Sequence, residues 1–189
     1  MTTDTRPLRA DARRNLERIL ASARALFAAH GPGAQMEDIA AHAGVGIGTL
    51  YRRFPTKEAL VTELVRGRFQ EFVVIAAECE SIEPPYDALA TMMRRHAESV
   101  EDDVAFRLAM LNLNDFAWEG IEDDKCALND VVGRIVERAQ AAGEVRSDLA
   151  VDDYGLMMCG VVATMHYRSN EGDEWRRHLE LILAGLRPS

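Results

Sequence analysis

The chain has 189 residues, 48% of them hydrophobic and 28% charged, with a formal net charge of −9. That balance belongs to a folded globular protein and excludes a disordered or low-complexity chain. No apolar run approaches the roughly 18 residues of a membrane span, and Cys79, Cys126 and Cys159, odd in number and far apart, argue against a disulfide framework or a cysteine zinc site.

The charge is unevenly placed. Residues 1–60 hold nine basic and six acidic residues, a net +3, which leaves −12 for residues 61–189. Only the N-terminal part can attract a polyphosphate, and the remainder repels one. The opening MTTDTRPLRADARR lacks the apolar core of a secretory signal, so the expected location is the cytoplasm.

In chain order, residues 1–10 read as a polar, disordered start. A first helix is expected from Asp11, its N-cap, to His30, with Leu16, Ile19, Leu20, Ala23, Leu26 and Phe27 at helical spacing. Gly31-Pro32-Gly33 stops it. A short helix follows over Met36–Ala43, with Glu37 and Asp38 in its first turn complementing the helix dipole. Gly44-Val45-Gly46 breaks the chain, glycine accepting positive φ without steric cost. A second short helix runs over Ile47–Phe54 and ends at Pro55-Thr56. Helix, tight glycine turn, helix is the layout of a helix-turn-helix, whose second helix enters the DNA major groove.

The stretch GVGIGTLYRRFPTKEAL, with Gly44, Val45, Gly48, Thr49, Leu50, Tyr51, Phe54, Lys57 and Glu58 in register, resembles the signature of TetR/AcrR-type transcriptional regulators. The specific match spans about Arg13 to Leu64; the rest resembles the family in architecture. The resemblance implies that residues at the positions of Thr49, Tyr51 and Lys57 bind phosphates, which position the protein without choosing sequence. Base reading falls to the exposed face. Arg52 can pair bidentately with guanine, Ile47 can touch a thymine methyl, and Gln35 and Gly48 lie close to the groove, with Arg53 and Gly46 completing the expected surface. Two departures stand out. Gly46 replaces the usual serine or threonine of the turn, and Gln35-Met36 replaces the threonine that often opens the first reading helix. Both lose a capping hydroxyl.

Thr56 caps a helix from Lys57 to about Glu80, roughly 36 Å long, which joins head to body as a rigid strut. Further helices are expected over about Tyr86–Val100, Val104–Trp118 and Cys126–Ala142. The run Glu122-Asp123-Asp124 reads as an exposed loop. Phe69, Phe72, Met92, Met93, His96, Phe106, Met110, Asn114 and Trp118 are the candidate lining of a small-molecule cavity, thioether and aromatic groups adapting to an irregular apolar ligand. Asp115 and Glu119 read as a solvated acidic edge.

A helix over about Val151–Ser169 is apolar nearly all round and needs cover on two sides; a second copy can supply one. The last helix, about Asp173–Leu186, carries one apolar stripe. The resemblance implies that these two helices pair with a partner's in a four-helix bundle, which makes Met158, Val162, Met165, His166, Trp175, Leu179, Ile182 and Leu186 the candidate interface.

The expected fold is all-α: a helix-turn-helix DNA-binding domain over residues 1–56 and a helical ligand-binding and dimerisation domain over residues 57–189. The expected partners are a palindromic DNA operator, a small-molecule effector and a second copy of the chain, with no membrane, cofactor or metal. No phosphate-cradling glycine motif, nucleophile elbow or His-Glu metal spacing suggests an enzyme. Repression released by a small apolar or amphipathic effector is the principal reading. The alternative keeps the same fold and dimer without DNA binding and acts through a ligand or protein partner.

Overall fold

The computed structural model describes residues 6–111, 120–165 and 173–188, and these form helices joined by turns, with no strand among them. The helices are α1 (Arg6–His30), α2 (Met36–Ala43), α3 (Ile47–Arg53), α4 (Lys57–Cys79), α5 (Pro85–Val100), α6 (Val104–Leu111), α7 (Glu122–Ala141), α8 (Val151–Thr164) and α9 (Glu174–Gly185).

Two apolar cores share α4. The head core joins Ile19, Ala23 and Phe27 of α1 to Ile39 of α2, Leu50 of α3, and Leu60 and Leu64 of α4. It also takes Ala105 from α6. The body core begins one residue later on α4, at Val65, and gathers α5 through α9 around Met92, Met93, Ile135 and Leu179. Burying a side chain of this size contributes about 1.5–3 kcal/mol, so each core orders the segment of α4 that enters it. The expected strut is therefore held at both ends, and the head core extends past residue 56.

Local chemistry sets the helix ends. Thr56 accepts a hydrogen bond from the Ala59 amide at 3.1 Å and caps α4. Gly44 closes α2 at φ 62°, and a Cβ there would meet Arg18 Nη2 at 2.5 Å. Arg18 uses that space to reach the Ala43 and Gly44 carbonyls, completing the C-cap from α1.

Two expectations at helix starts are corrected. α1 begins at Arg6, not Asp11. Pro7 is tolerated there because a first-turn amide has no helical partner to lose, and Asp11 instead pairs with Arg14 one turn on. α7 begins at Glu122, so the acidic run is its first turn and not a loop. Three carboxylates at the positive end of a helix favour that, and Asp124 is also engaged by Arg66 at 3.5 Å and Gln70 at 3.1 Å from α4.

Candidate functional site

The head presents α3 outward. Leu50 is fully buried and anchors the helix, while Gly48, Thr49, Arg52 and Arg53 are exposed and the large apolar surfaces of Ile47 and Tyr51 stay 40% and 41% accessible. Gly46 is the N-cap in extended conformation, with its carbonyl accepting from the Thr49 amide at 2.8 Å. No side-chain hydroxyl caps either α2 or α3. Gly48 has no heavy atom within 4 Å of where a Cβ would stand, so its side of the helix is open.

The flanking candidates are tied to the head. Tyr51 donates its hydroxyl to Glu37 Oε1 at 3.2 Å, and desolvation, then that carboxylate, push the phenol pKa upward. Lys57 is half-buried, donates to the Pro32 carbonyl and lies 5.4 Å from the Phe27 ring centre. Gln35 donates to the Gly33 carbonyl at 2.7 Å and does not cap α2. Lys57 and Gln35 thus both grip the single 3₁₀ turn Gly31–Gly33. Sequence reading missed Arg13 and Asn15, which with Thr49, Arg52 and Arg53 border a groove between α1 and α3. The polar side chains of Arg13 and Asn15 lie on the expected first helix, but no sequence period records that this part of α1 faces α3.

In the body, a cavity of about 350 Å³ opens among α4, α5, α6, α7 and α8. Phe69, Phe72, His96, Phe106 and Met110 line it as expected from sequence. Phe69, Phe72 and Phe106 meet edge-on or tilted, with centroids 5.7–6.5 Å apart. Met92 and Met93 are corrected: both are fully buried in the body core and do not line the cavity. They follow Leu89 around the inward face of α5, one turn before His96. Asn114 and Trp118 lie outside the described residues, as do Asp115 and Glu119.

His96 and Tyr154 form the polar part of the inner wall. The Nε2 of His96 donates to the Phe72 carbonyl at 2.9 Å, and its Nδ1 pairs with the Tyr154 hydroxyl. Burial lowers the His96 pKa to about 4 and pushes the Tyr154 pKa upward, so both are uncharged near neutrality. Lys125, Asn129 and Asp152 stand towards solvent at the mouth. Cys159 shares this wall, its thiol pKa raised by burial.

Besides α4, α6 touches both regions. Phe106 and Met110 of α6, four residues apart, face the cavity, while Ala105 belongs to the head core and Leu108 approaches Gly31. Asp103, just before α6, accepts from the Phe106 amide at 2.9 Å and pairs with Arg68 of α4; Arg24 of α1 lies 3.9 Å away.

The candidate interface residues divide. Trp175, Leu179 and Leu186 of the last helix and Met158 and Val162 of α8 are buried in the chain's own body core, which corrects their placement on a partner-facing stripe. The spacing identified the apolar face, and that face was needed inside. Met165 and Ile182 are half-buried, packed against the same core. His166 lies outside the described residues. The uncovered surfaces of these helices carry Leu156, which also borders the cavity, and Leu181, 73% and 55% accessible, with exposed Ala163 and Ala184. Among the described residues no helix is long and apolar enough to cross a membrane, and no cluster of three or more potential metal ligands occurs.

Comparison with known proteins accounts for both halves. Residues 19–64 match the model described as "Bacterial regulatory proteins, tetR family", and residues 84–188 match "Transcriptional regulator SbtR-like, C-terminal domain". A TetR transcriptional regulator from Streptomyces coelicolor is 31% identical with a TM-score of 0.64, covering 92% of this chain and 99% of its own. A TetR regulatory protein from Mycobacterium vanbaalenii is 34% identical with a TM-score of 0.63, covering 96% and 100%. The FadR regulator of Bacillus subtilis, solved in complex with stearoyl-CoA, shares the fold at 19% identity and TM-score 0.70, covering 90% and 99%. No curated protein matches the chain. A helix-turn-helix head with an exposed α3, continuous with an all-helical body and matched by family models over both, makes this chain a member of the TetR family of DNA-binding transcriptional regulators.

Proposed function

We propose that the protein is a homodimeric repressor that binds a near-palindromic operator and releases it when a small, largely apolar effector fills the body cavity. The observation that carries this reading is α6, whose residues serve the cavity wall and the head core at once. Two heads would read half-sites about 34–36 Å apart. Arg52 and Ile47 would read bases, while Thr49, Tyr51, Arg53 and Lys57 would hold phosphates.

Occupancy of the cavity displaces Phe106 and Met110, and α6 carries the shift to α1 and the Gly31–Gly33 turn. That turn holds Lys57 and Gln35 through the Pro32 and Gly33 carbonyls, so its displacement moves two groups expected at the DNA. A tilt of α4, which enters both cores, would add to this route. The dimer would use the uncovered side of α8 and α9 around Leu156 and Leu181. Leaving those side chains in water forfeits the hydrophobic gain their burial supplies.

The test is linkage. Effector affinity measured with and without operator should differ by the same factor as operator affinity with and without effector, within the typical 5–150-fold range, about 1–3 kcal/mol. Equal effector affinities in the two states would refute the mechanism.

A further inference from the structure

The buried cavity wall offers very little polar chemistry, and its polar atoms are nearly all committed. Among the described buried lining residues, only His96 and Tyr154 have polar side chains other than sulfur. The tautomer is set by the partners. A backbone carbonyl only accepts, so Nε2 of His96 must carry the proton that bridges 2.9 Å to Phe72 O. In neutral imidazole Nδ1 is then the acceptor, and the Tyr154 hydroxyl donates its one proton to it. Both His96 nitrogens are occupied and the phenol has no proton left to give. What remains is a lone pair on Tyr154 Oη, an acceptor.

Among the described residues, charge is absent from the same wall. Desolvation opposes a charge on His96, and protonating Nδ1 would also force the Tyr154 hydroxyl to turn from donor to acceptor and give up the proton it donates there. Lys125 and Asp152, of opposite sign, stand at the solvent-facing mouth, so among the described residues neither sign of ligand charge is matched deep inside. The rings of Phe69, Phe72 and Phe106 supply flat apolar surface around the pair. At about 350 Å³ the space is near the small end of ligand sites, about 300–1,000 Å³.

The geometry points to a neutral aromatic effector that carries one hydrogen-bond donor, a hydroxyl or N–H, given to Tyr154 Oη. This rests on the reading of the cavity as the effector site. A carboxylate would be buried without a cation, and an ether or ketone would bring a second acceptor to an acceptor.

The probes that test it are 1-naphthol, 1-methoxynaphthalene and 1-naphthoate, titrated calorimetrically at pH 7 into the full-length protein without DNA. Naphthol is expected to bind about fivefold tighter than its methyl ether, the share of one neutral hydrogen bond, and naphthoate to show no saturable binding. In the double variant His96→Leu/Tyr154→Phe, which replaces both partners with apolar groups and leaves neither side chain orphaned, naphthol should lose that advantage. Equal binding of ether or naphthoate to the wild type overturns the donor assignment, as does an advantage that survives in the double variant. A cavity-filling Val162→Phe variant separates the two levels. If none of the probes binds the wild type, or if naphthol binds Val162→Phe unchanged, the cavity reading itself fails.

Discussion

Single side chains on the head divide into those that position and those that select. Lys57 is tied to Pro32 and stands at the start of α4, where it is proposed to hold a phosphate, whereas Arg52 is exposed on α3 with its guanidinium available to the proposed base edge. Lys57→Ala should weaken binding to all duplexes alike and reduce the salt slope by about one. Arg52→Ala should cost about 1–3 kcal/mol on the preferred sequence and relax preference at one position. Fluorescence anisotropy across salt and across a set of point-changed duplexes separates the two; reversed behaviour would exchange the roles. In the body, His96 has its pKa lowered to about 4 from 6.5, so the unfolded chain binds a proton that the folded one refuses. That contribution is complete above pH 6.5 and is lost as pH falls towards 4. Between pH 7 and pH 5 the wild type should lose about 2 kcal/mol more than a His96→Gln variant in urea unfolding. Equal losses would mean that His96 is not buried neutral. The placement of Tyr51 and Arg52 on the exposed α3 and of Lys57 at the start of α4 was legible beforehand, because they lie in a motif whose turn chemistry is local. Tyr154 was not, because its link to His96 spans 58 residues and four helices, and no sequence period records it.

Among the elements, α6 carries the most consequence for its length. Asp103 caps it and also holds Arg68, both side chains nearly buried at 7% and 11% exposure. Removing the charge leaves Arg68 with Glu71 alone, at 2.7 Å and half exposed. Asp103→Asn should therefore destabilise the protein by about 3 kcal/mol, the low end for breaking a buried pair, and reduce the effector's influence on DNA. Chemical denaturation and a paired operator titration measure the two effects; a variant within about 1 kcal/mol of wild type with unchanged coupling would remove Asp103 from the pathway. The helices themselves followed from apolar periodicity and caps, with Met36–Ala43 and the Thr56 cap read to the residue. Two starts were misread because acidic and proline-containing segments suit loops as well as first helical turns. The all-round apolar surface of α8 and the apolar stripe of α9 were legible as patterns, but what covers them was not. Trp175 and Leu179 satisfy the body core, and only the folded arrangement reveals that Leu156 and Leu181 are left outside.

For the molecule as a whole, the uneven charge and the uncovered α8–α9 side belong together. A body of net −12 would keep DNA against the head, and in the proposed dimer two heads joined through their bodies would give the symmetry that a palindrome requires. Leu181→Glu places a charge in the proposed seam and should give a folded monomer by sedimentation, with operator affinity lost; a dimer that persists would move the interface elsewhere. The central claim, DNA reading by a two-fold dimer, is tested most directly by selecting bound duplexes from a random pool and titrating the winner with salt. The account predicts a two-fold-symmetric consensus with a steep negative salt slope. No enrichment from folded, dimeric protein would contradict it and leave the body's ligand or a protein partner as the protein's route of action.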